Sequence, residues 1–307
     1  KIMSIGAIIL SLFAPFLEFI AQFMPGEVFP YFFTMEMLQR SLIAALMVTI
    51  VAGFLGLFLL MRNLALIGDG LAHVSFGGVA IAIVLGSTTP LWYALSLSII
   101  SAILIHEMQV RGILTGDASI AIFLTGMLAL GLVVLRIWGG GIQSDIEGYL
   151  FGSLLLIDEK SFDLICIISI ISLIFLTVTQ KVLLVCSIDP LAAQVQGIPV
   201  RVVGIVFSVV TASIVVSMVQ VMGALLVTAL LVTPSATAQL IGSSFRSCFI
   251  WAQIFGFTSV VLGLYFSAEF ETGSGSMIAL VSAAVFASVA IFQNILKPII
   301  KPVDNLN

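Results

Sequence analysis

Apolar positions run along this chain in long, nearly unbroken stretches, and the polar residues between them fall at fairly regular intervals. The stretches lie at about 4–24, 37–60, 64–86, 90–108, 118–137, 161–180, 201–219, 222–243, 246–268 and 276–296. Each approaches the ~20 residues a helix needs to cross a hydrocarbon core of ~30 Å. The pattern predicts an all-α, polytopic transmembrane bundle of about 8–10 crossings, read as one transmembrane domain over 1–307. The weakest division is between 201–219 and 222–243, where Gln220 to Met222 leaves room only for a short turn. The run 4–24 lacks a small-residue cleavage site, so it reads as a retained extra helix rather than a signal peptide. A start at Lys1 reads as a trimmed chain.

Composition agrees. Of 307 residues, 61% are hydrophobic and 8% charged, against about 25% charged in a soluble domain. No stretch is left over for a soluble domain. A net charge of −4 with no basic patch leaves nothing to hold nucleic-acid phosphates. Drawn as ten crossings from a cytoplasmic amino terminus, the inner side receives Lys1, Arg62, Arg111, Lys181, Arg201, Arg246, Lys297 and Lys301. The outer side receives Arg40, Arg136 and Lys160. That asymmetry obeys the positive-inside rule and predicts a multi-pass protein of the cell membrane, in contact with lipid. The acidic outer loops would concentrate cations. Glu18, inside the first run, reads as a helix-contact or snorkelling residue.

Near the middle of the stretch Met61–Gly86 stand two ionisable residues, Asp69 and His73. A carboxylate at bilayer depth costs roughly 2.5–3.5 kcal/mol on insertion scales, so it needs a partner or a watery path. Four residues apart on a helix, the two share a face. One carboxylate oxygen and one imidazole nitrogen suit a first-row divalent cation. They are the candidate metal-contacting pair, placed near mid-membrane. Cys166, Cys186 and Cys248 are scattered and read as apolar filler.

Three further segments carry signals. In Ser187–Arg201, Asp189 reads as an N-cap, Pro190 as the first helical residue and Gly197 as a left-handed stop, giving a short cytoplasmic helix over 188–198 that includes Ala193. A partner's groove could grip such a helix. In Met222–Gly242, Pro234 should kink a crossing, and Thr228, Thr233 and Ser235 could line a polar path or satisfy freed backbone groups. The outer stretch 139–160, with the apolar patch YLFGSLLLI, is too short to span and reads as a loop or re-entrant segment. Asp117 reads as the N-cap of the fifth crossing. There is no G-x-x-x-x-G-K-[ST] loop for ATP, and His106-Glu107 is not followed by the second histidine of a zinc protease. His106 reads as interfacial. The chain is expected not to be an enzyme and to hold no permanent cofactor.

The stretches MRNLALIGDGLAHVSFGGVA (61–80), GDASIAIFLTGMLALGLVVL (116–135), YLFGSLLLI (149–157), IDPLAAQVQGI (188–198), MGALLVTALLVTPSATA (222–238) and GSGSMIALVSAAVF (273–286) follow one another as in a known family. From about Arg40 to Phe292 the chain resembles the ABC-3 permeases of bacterial and archaeal importers for manganese, zinc and iron, similar to the type II importer architecture. The resemblance implies a homodimer, a separate cytoplasmic ABC ATPase subunit, and an extracytoplasmic metal-binding protein that delivers cargo. It also implies that Asp69 and His73 contact the metal and that 189–198 is the coupling helix. The rival readings are a permease for a metal chelate such as a siderophore or corrinoid, and a stand-alone secondary cation carrier. The first would want a wide, ligand-poor channel; the second would need no docking helix.

Overall fold

The structure, a computed structural model, describes residues 4–139, 157–224 and 226–300, with side chains to 293. Its helices are α1 (Ile5–Ala21), α2 (Tyr31–Thr34), α3 (Glu36–Met61), α4 (Ile67–Val84), α5 (Pro90–Val110), α6 (Gly116–Trp138), α7 (Glu159–Ile188), α8 (Pro190–Val195), α9 (Val200–Met222), α10 (Val227–Leu231), α11 (Thr233–Ile241), α12 (Phe245–Glu269) and α13 (Ser274–Ile300). No strand occurs among the described residues. Eight helices are long and apolar enough to cross a membrane: α3, α4, α5, α6, α7, α9, α12 and α13. The fold is an all-α polytopic bundle. Most of the predicted 139–160 segment lies outside the described residues.

Polar contacts at the helix ends define two faces. On one, Arg40 pairs with Glu36 and lies 3.6 Å from Glu159, joining the first turns of α3 and α7. There too the Glu269 carboxylate, at the end of α12, accepts the backbone N–H groups of Glu27, Val28 and Phe29 at 3.2, 3.0 and 3.0 Å. On the other, Arg62 Nε donates to Ser187 Oγ at 2.9 Å, and its guanidinium lies 4.3 Å from the centre of the Phe207 ring. Arg201 forms a two-bond fork to Glu107 (2.9 and 2.6 Å), which also accepts from Arg111 at 3.1 Å. The second face holds Arg62, Arg111, Lys181, Arg201 and Arg246; by the positive-inside rule it is cytoplasmic.

The centre of the bundle is α3, buried along most of its length. Between helices in lipid, burial of apolar surface gives little drive, so close packing and hydrogen bonds carry the association. Small residues supply it. A Cβ on Gly78 would lie 2.7 Å from Ala94 Cα, and one on Gly263 would lie 2.6 Å from Ile278 Cα. Around the cytoplasmic half of α3, Phe54 and Phe58 pack on Phe249 and Phe245 with ring centres 4.8 and 5.3 Å apart.

Three elements differ from the sequence expectation. The 222–243 segment is not one kinked helix but two short ones, broken at Val232. Pro234 has no N–H for the carbonyl one turn back, so the helix ends and restarts with proline in its first turn. The freed chain closes on α3: Ser235 Oγ donates to the Gly53 carbonyl at 3.3 Å, and only a glycine at position 56 leaves room for the Leu231 carbonyl. At α6 the N-cap position belongs to Thr115, extended at φ −66°, ψ 159°, and Asp117 falls in the first turn beyond it. Finally, the 4–24 run forms α1, but both its ends sit at the outer face. The Gly6 N–H donates to Asp163 Oδ1 at 2.8 Å, one turn into α7, while the chain after α1 leads to the residues pinned by Glu269.

Candidate functional site

The turn from α3 to α4 is tight because Asn63 takes a left-handed conformation (φ 54°), which asparagine tolerates better than most side chains. The Leu64 N–H returns to the Leu59 carbonyl at 2.8 Å, and α4 starts at Ile67. Asp69 is therefore the third residue of the helix and His73 the seventh. The pair sits in the first half of α4, off the centre of the apolar stretch where its sequence position put it. An aspartate in the first turn also meets the positive end of the helix dipole, worth about 0.3–1 kcal/mol when exposed.

The helical spacing brings the two side chains together. His73 Nε2 is 4.0 Å from Asp69 Oδ1. Two donors each ~2.1 Å from one ion lie at most ~4.2 Å apart, so a single cation between them requires only small side-chain adjustment. The His73 side chain is 7% exposed and that of Asp69 33%. His73 Nδ1 is buried without a hydrogen-bond partner among the described residues. So is Thr228 Oγ1, on α10, which lies 3.9 Å from where a Cβ on Gly68 would be, beside Asp69 in sequence. No group of three or more His, Cys, Asp or Glu side chains gathers among the described residues. The start of α4 thus brings together a carboxylate, an imidazole and, nearby, a buried hydroxyl.

Of the four residues read as polar path or kink, Thr228 alone adjoins the start of α4. Ser235 bonds to α3, Pro234 is buried in the restart of α11, and the Thr233 carbonyl accepts the Thr237 hydroxyl at 2.7 Å. The α4 backbone is gripped closely: a Cβ on Gly70 would be 2.7 Å from Ile120 and one on Gly77 3.0 Å from the Met127 carbonyl.

The short cytoplasmic helix forms as its residues dictate. Asp189 accepts the N–H groups of Leu191 and Ala192 at 3.0 and 2.9 Å, Pro190 opens the helix, and Gly197 ends it at φ +81°. Ala193 is fully buried, anchoring α8 to the bundle, whereas Ile188, Leu191 and Val195 are 73%, 73% and 90% exposed. Four residues after Gly197, Arg201 makes its fork to Glu107. The sequence pattern placed Arg111 and Arg201 only among the inner-side charges and met Glu107 only in the His106-Glu107 pair. Their link joins α5 to α9 across 94 residues, and no local pattern announces it.

A polytopic helical bundle with a carboxylate–imidazole pair on one of its long apolar helices and an exposed, capped short helix has the layout of a transporter's membrane subunit. The ABC 3 transport family matches residues 34–293, and the chain belongs to it. It is 31% identical over 257 residues to the manganese transport system membrane protein MntC of Halalkalibacterium halodurans, covering 83% of this chain and 87% of that one. It is 30% identical over 251 residues to the high-affinity zinc uptake system membrane protein ZnuB of Haemophilus influenzae, covering 82% and 95%. Among solved structures, a chain of PsaBC from Streptococcus pneumoniae in complex with Fab superposes with a TM-score of 0.74 at 31% identity, covering 85% of this chain and 94% of that one. The chain is a multi-pass cell-membrane permease of the ABC type.

Proposed function

We propose that this chain is the permease subunit of an ATP-driven importer of divalent transition-metal ions, with manganese or zinc the cargo its relatives' names favour and iron a further candidate. The observation that carries this reading is the Asp69–His73 pair, 4.0 Å apart on the buried helix α4. A hard oxygen and an imidazole in reach of one ion suit a naked cation better than a bulky chelate.

In this reading the permease works as a homodimer, whose two-fold axis brings a second Asp69–His73 pair to complete the coordination. An extracytoplasmic metal-binding protein supplies the ion, which sheds water at the pair. A separate cytoplasmic ATPase grips α8 through Ile188, Leu191 and Val195, apolar side chains that otherwise stand in water. Its closure moves α8, then α9 and, through the Arg201–Glu107 fork, α5, which packs on α4. The pair is thereby exposed to each side in turn.

The test is reconstitution with the ATPase and binding protein in liposomes. Uptake of manganese or zinc is expected only with ATP and all components. Uptake by this chain alone, driven by an ion gradient, would refute the reading and favour a secondary carrier. Val195→Asp gives a second test at the partner surface. A carboxylate placed in an apolar groove is expected to abolish co-purification of the ATPase while leaving the thermal midpoint of the isolated permease unchanged. Retained association would remove α8 from the interface. Asp189→Ala should weaken the same association by unfolding the cap, at a cost of about 1 kcal/mol.

A further inference from the structure

We infer that α1 is not a crossing but a helix lying along the outer membrane surface, with its apolar stripe seated in the outer leaflet and its start on the extracytoplasmic side. The family match begins at residue 34, so α1 and its role fall outside it.

Length and contacts decide its direction. From Ala7 to Glu18, α1 advances about 16 Å by helical rise. Over that distance one side of it lines a single groove whose other residues are Thr34, Glu36, Gln39, Arg40, Glu159 and Phe162. All of these belong to the outer ends of α3 and α7 or the turn before α3. A helix running down beside α7 would bring its start toward the middle of that 30-residue helix. Instead Gly6 bonds to Asp163, four residues from the start of α7, and Phe162 fills the space a Cβ there would take.

Its side chains sort into three faces. Gly6 and Leu17 are buried against the bundle. Ser11 and Glu18, seven residues apart and exposed, share the groove with Arg40. Ile5, Ile8, Leu12, Phe16 and Phe19 recur at steps of three and four, and are 45–71% exposed. One packed face, one polar face and one bare apolar stripe of large side chains fit a helix lying in the interface. The occupant of the stripe is lipid, because α7, to which α1 is tied through Asp163, bares Ile167, Ile170 and Ile171 in the turns that follow that contact. Without α1, the described crossings are the eight long helices and the broken return through α10 and α11. This odd number sets α3's start and α13's end on opposite faces.

The experiment uses the assembled transporter in right-side-out and inside-out vesicles. Cys248, the half-buried thiol, is replaced by serine, and the buried Cys166 and Cys186 are kept. Ser11→Cys is expected to react with a membrane-impermeant maleimide from the outside only, as does the Gln22→Cys control. Spin labels at Leu12→Cys and Phe19→Cys, two turns apart on the stripe, are expected to report equal, shallow depths with high oxygen and low nickel-chelate access. Protection of Ser11→Cys from both sides, or label depths about 10 Å apart, would mean a crossing helix. Oxygen excluded at both labels would mean that protein covers the stripe. Either result overturns the inference, and the second pair of variants reads depth even if the first perturbs the groove.

Discussion

Asp69→Ala is expected to lower metal uptake by the assembled transporter by more than about 100-fold at limiting metal, since even residues behind a ligand are commonly worth about 10–100-fold in affinity or activity. His73→Ala should do nearly the same. The alternative account of Asp69 is structural: it sits in the first turn of α4, where a negative charge favours the helix. That effect is worth only about 0.3–1 kcal/mol, too little to unfold the bundle or remove its activity. The two accounts therefore separate by comparing uptake with thermal stability in the same preparation. A ligand role predicts near-total loss of uptake with a small change in midpoint. Asp69→Asn sharpens the comparison, because it keeps the shape and removes the charge, and it too should be inactive. Wild-type uptake in both alanine variants would remove the pair as the metal site and leave family membership untouched.

Where the sequence spoke clearly, a local rule was at work. The N-cap, proline and glycine of α8 act within two turns of chain, and each does in the structure what its chemistry requires. The i, i+4 spacing of Asp69 and His73 likewise needs only a helix to bring them together. Apolar run length identified the eight long helices, but it failed at two places where length is not the deciding quantity. The 222–243 run is apolar enough to span, yet the missing N–H of Pro234 divides it; at the break Ser235 Oγ donates to the Gly53 carbonyl of α3, and the Ala229 carbonyl accepts from Ser282 Oγ of α13. The 4–24 run is also long and apolar, yet its direction depends on Asp163, more than 150 residues away. The Arg62–Ser187 bond and the Arg201–Glu107 fork are illegible for the same reason: they join positions 125 and 94 residues apart.

Gly78→Val is expected to be among the most damaging single changes in the transmembrane packing. A Cβ at this position would meet the Ala94 Cα at 2.7 Å, the Tyr93 carbonyl oxygen at 2.8 Å and the Ala94 nitrogen at 2.9 Å. All three are backbone atoms, so no side chain can swing aside, and α4 and α5 must separate. Inserting methyl groups into a tight core costs typically about 1–3 kcal/mol, and more where the neighbours cannot move. Gly78→Ala should lower the thermal midpoint measurably and Gly78→Val should lower it further or prevent assembly. Gly126 on α6 is the contrasting case, since nothing lies within 4 Å of its position. There alanine gains helix propensity of up to about 1 kcal/mol without a clash, so Gly126→Ala should be neutral or stabilising. Gly263→Ala supplies the functional contrast, because its clash with the Ile278 backbone lies between α12 and α13, helices that do not carry the pair. If α4 holds the metal ligands, Gly78→Ala should lose more uptake than Gly263→Ala at equal loss of stability. Equal uptake at equal stability would show that the register of α4 against α5 does not matter to transport.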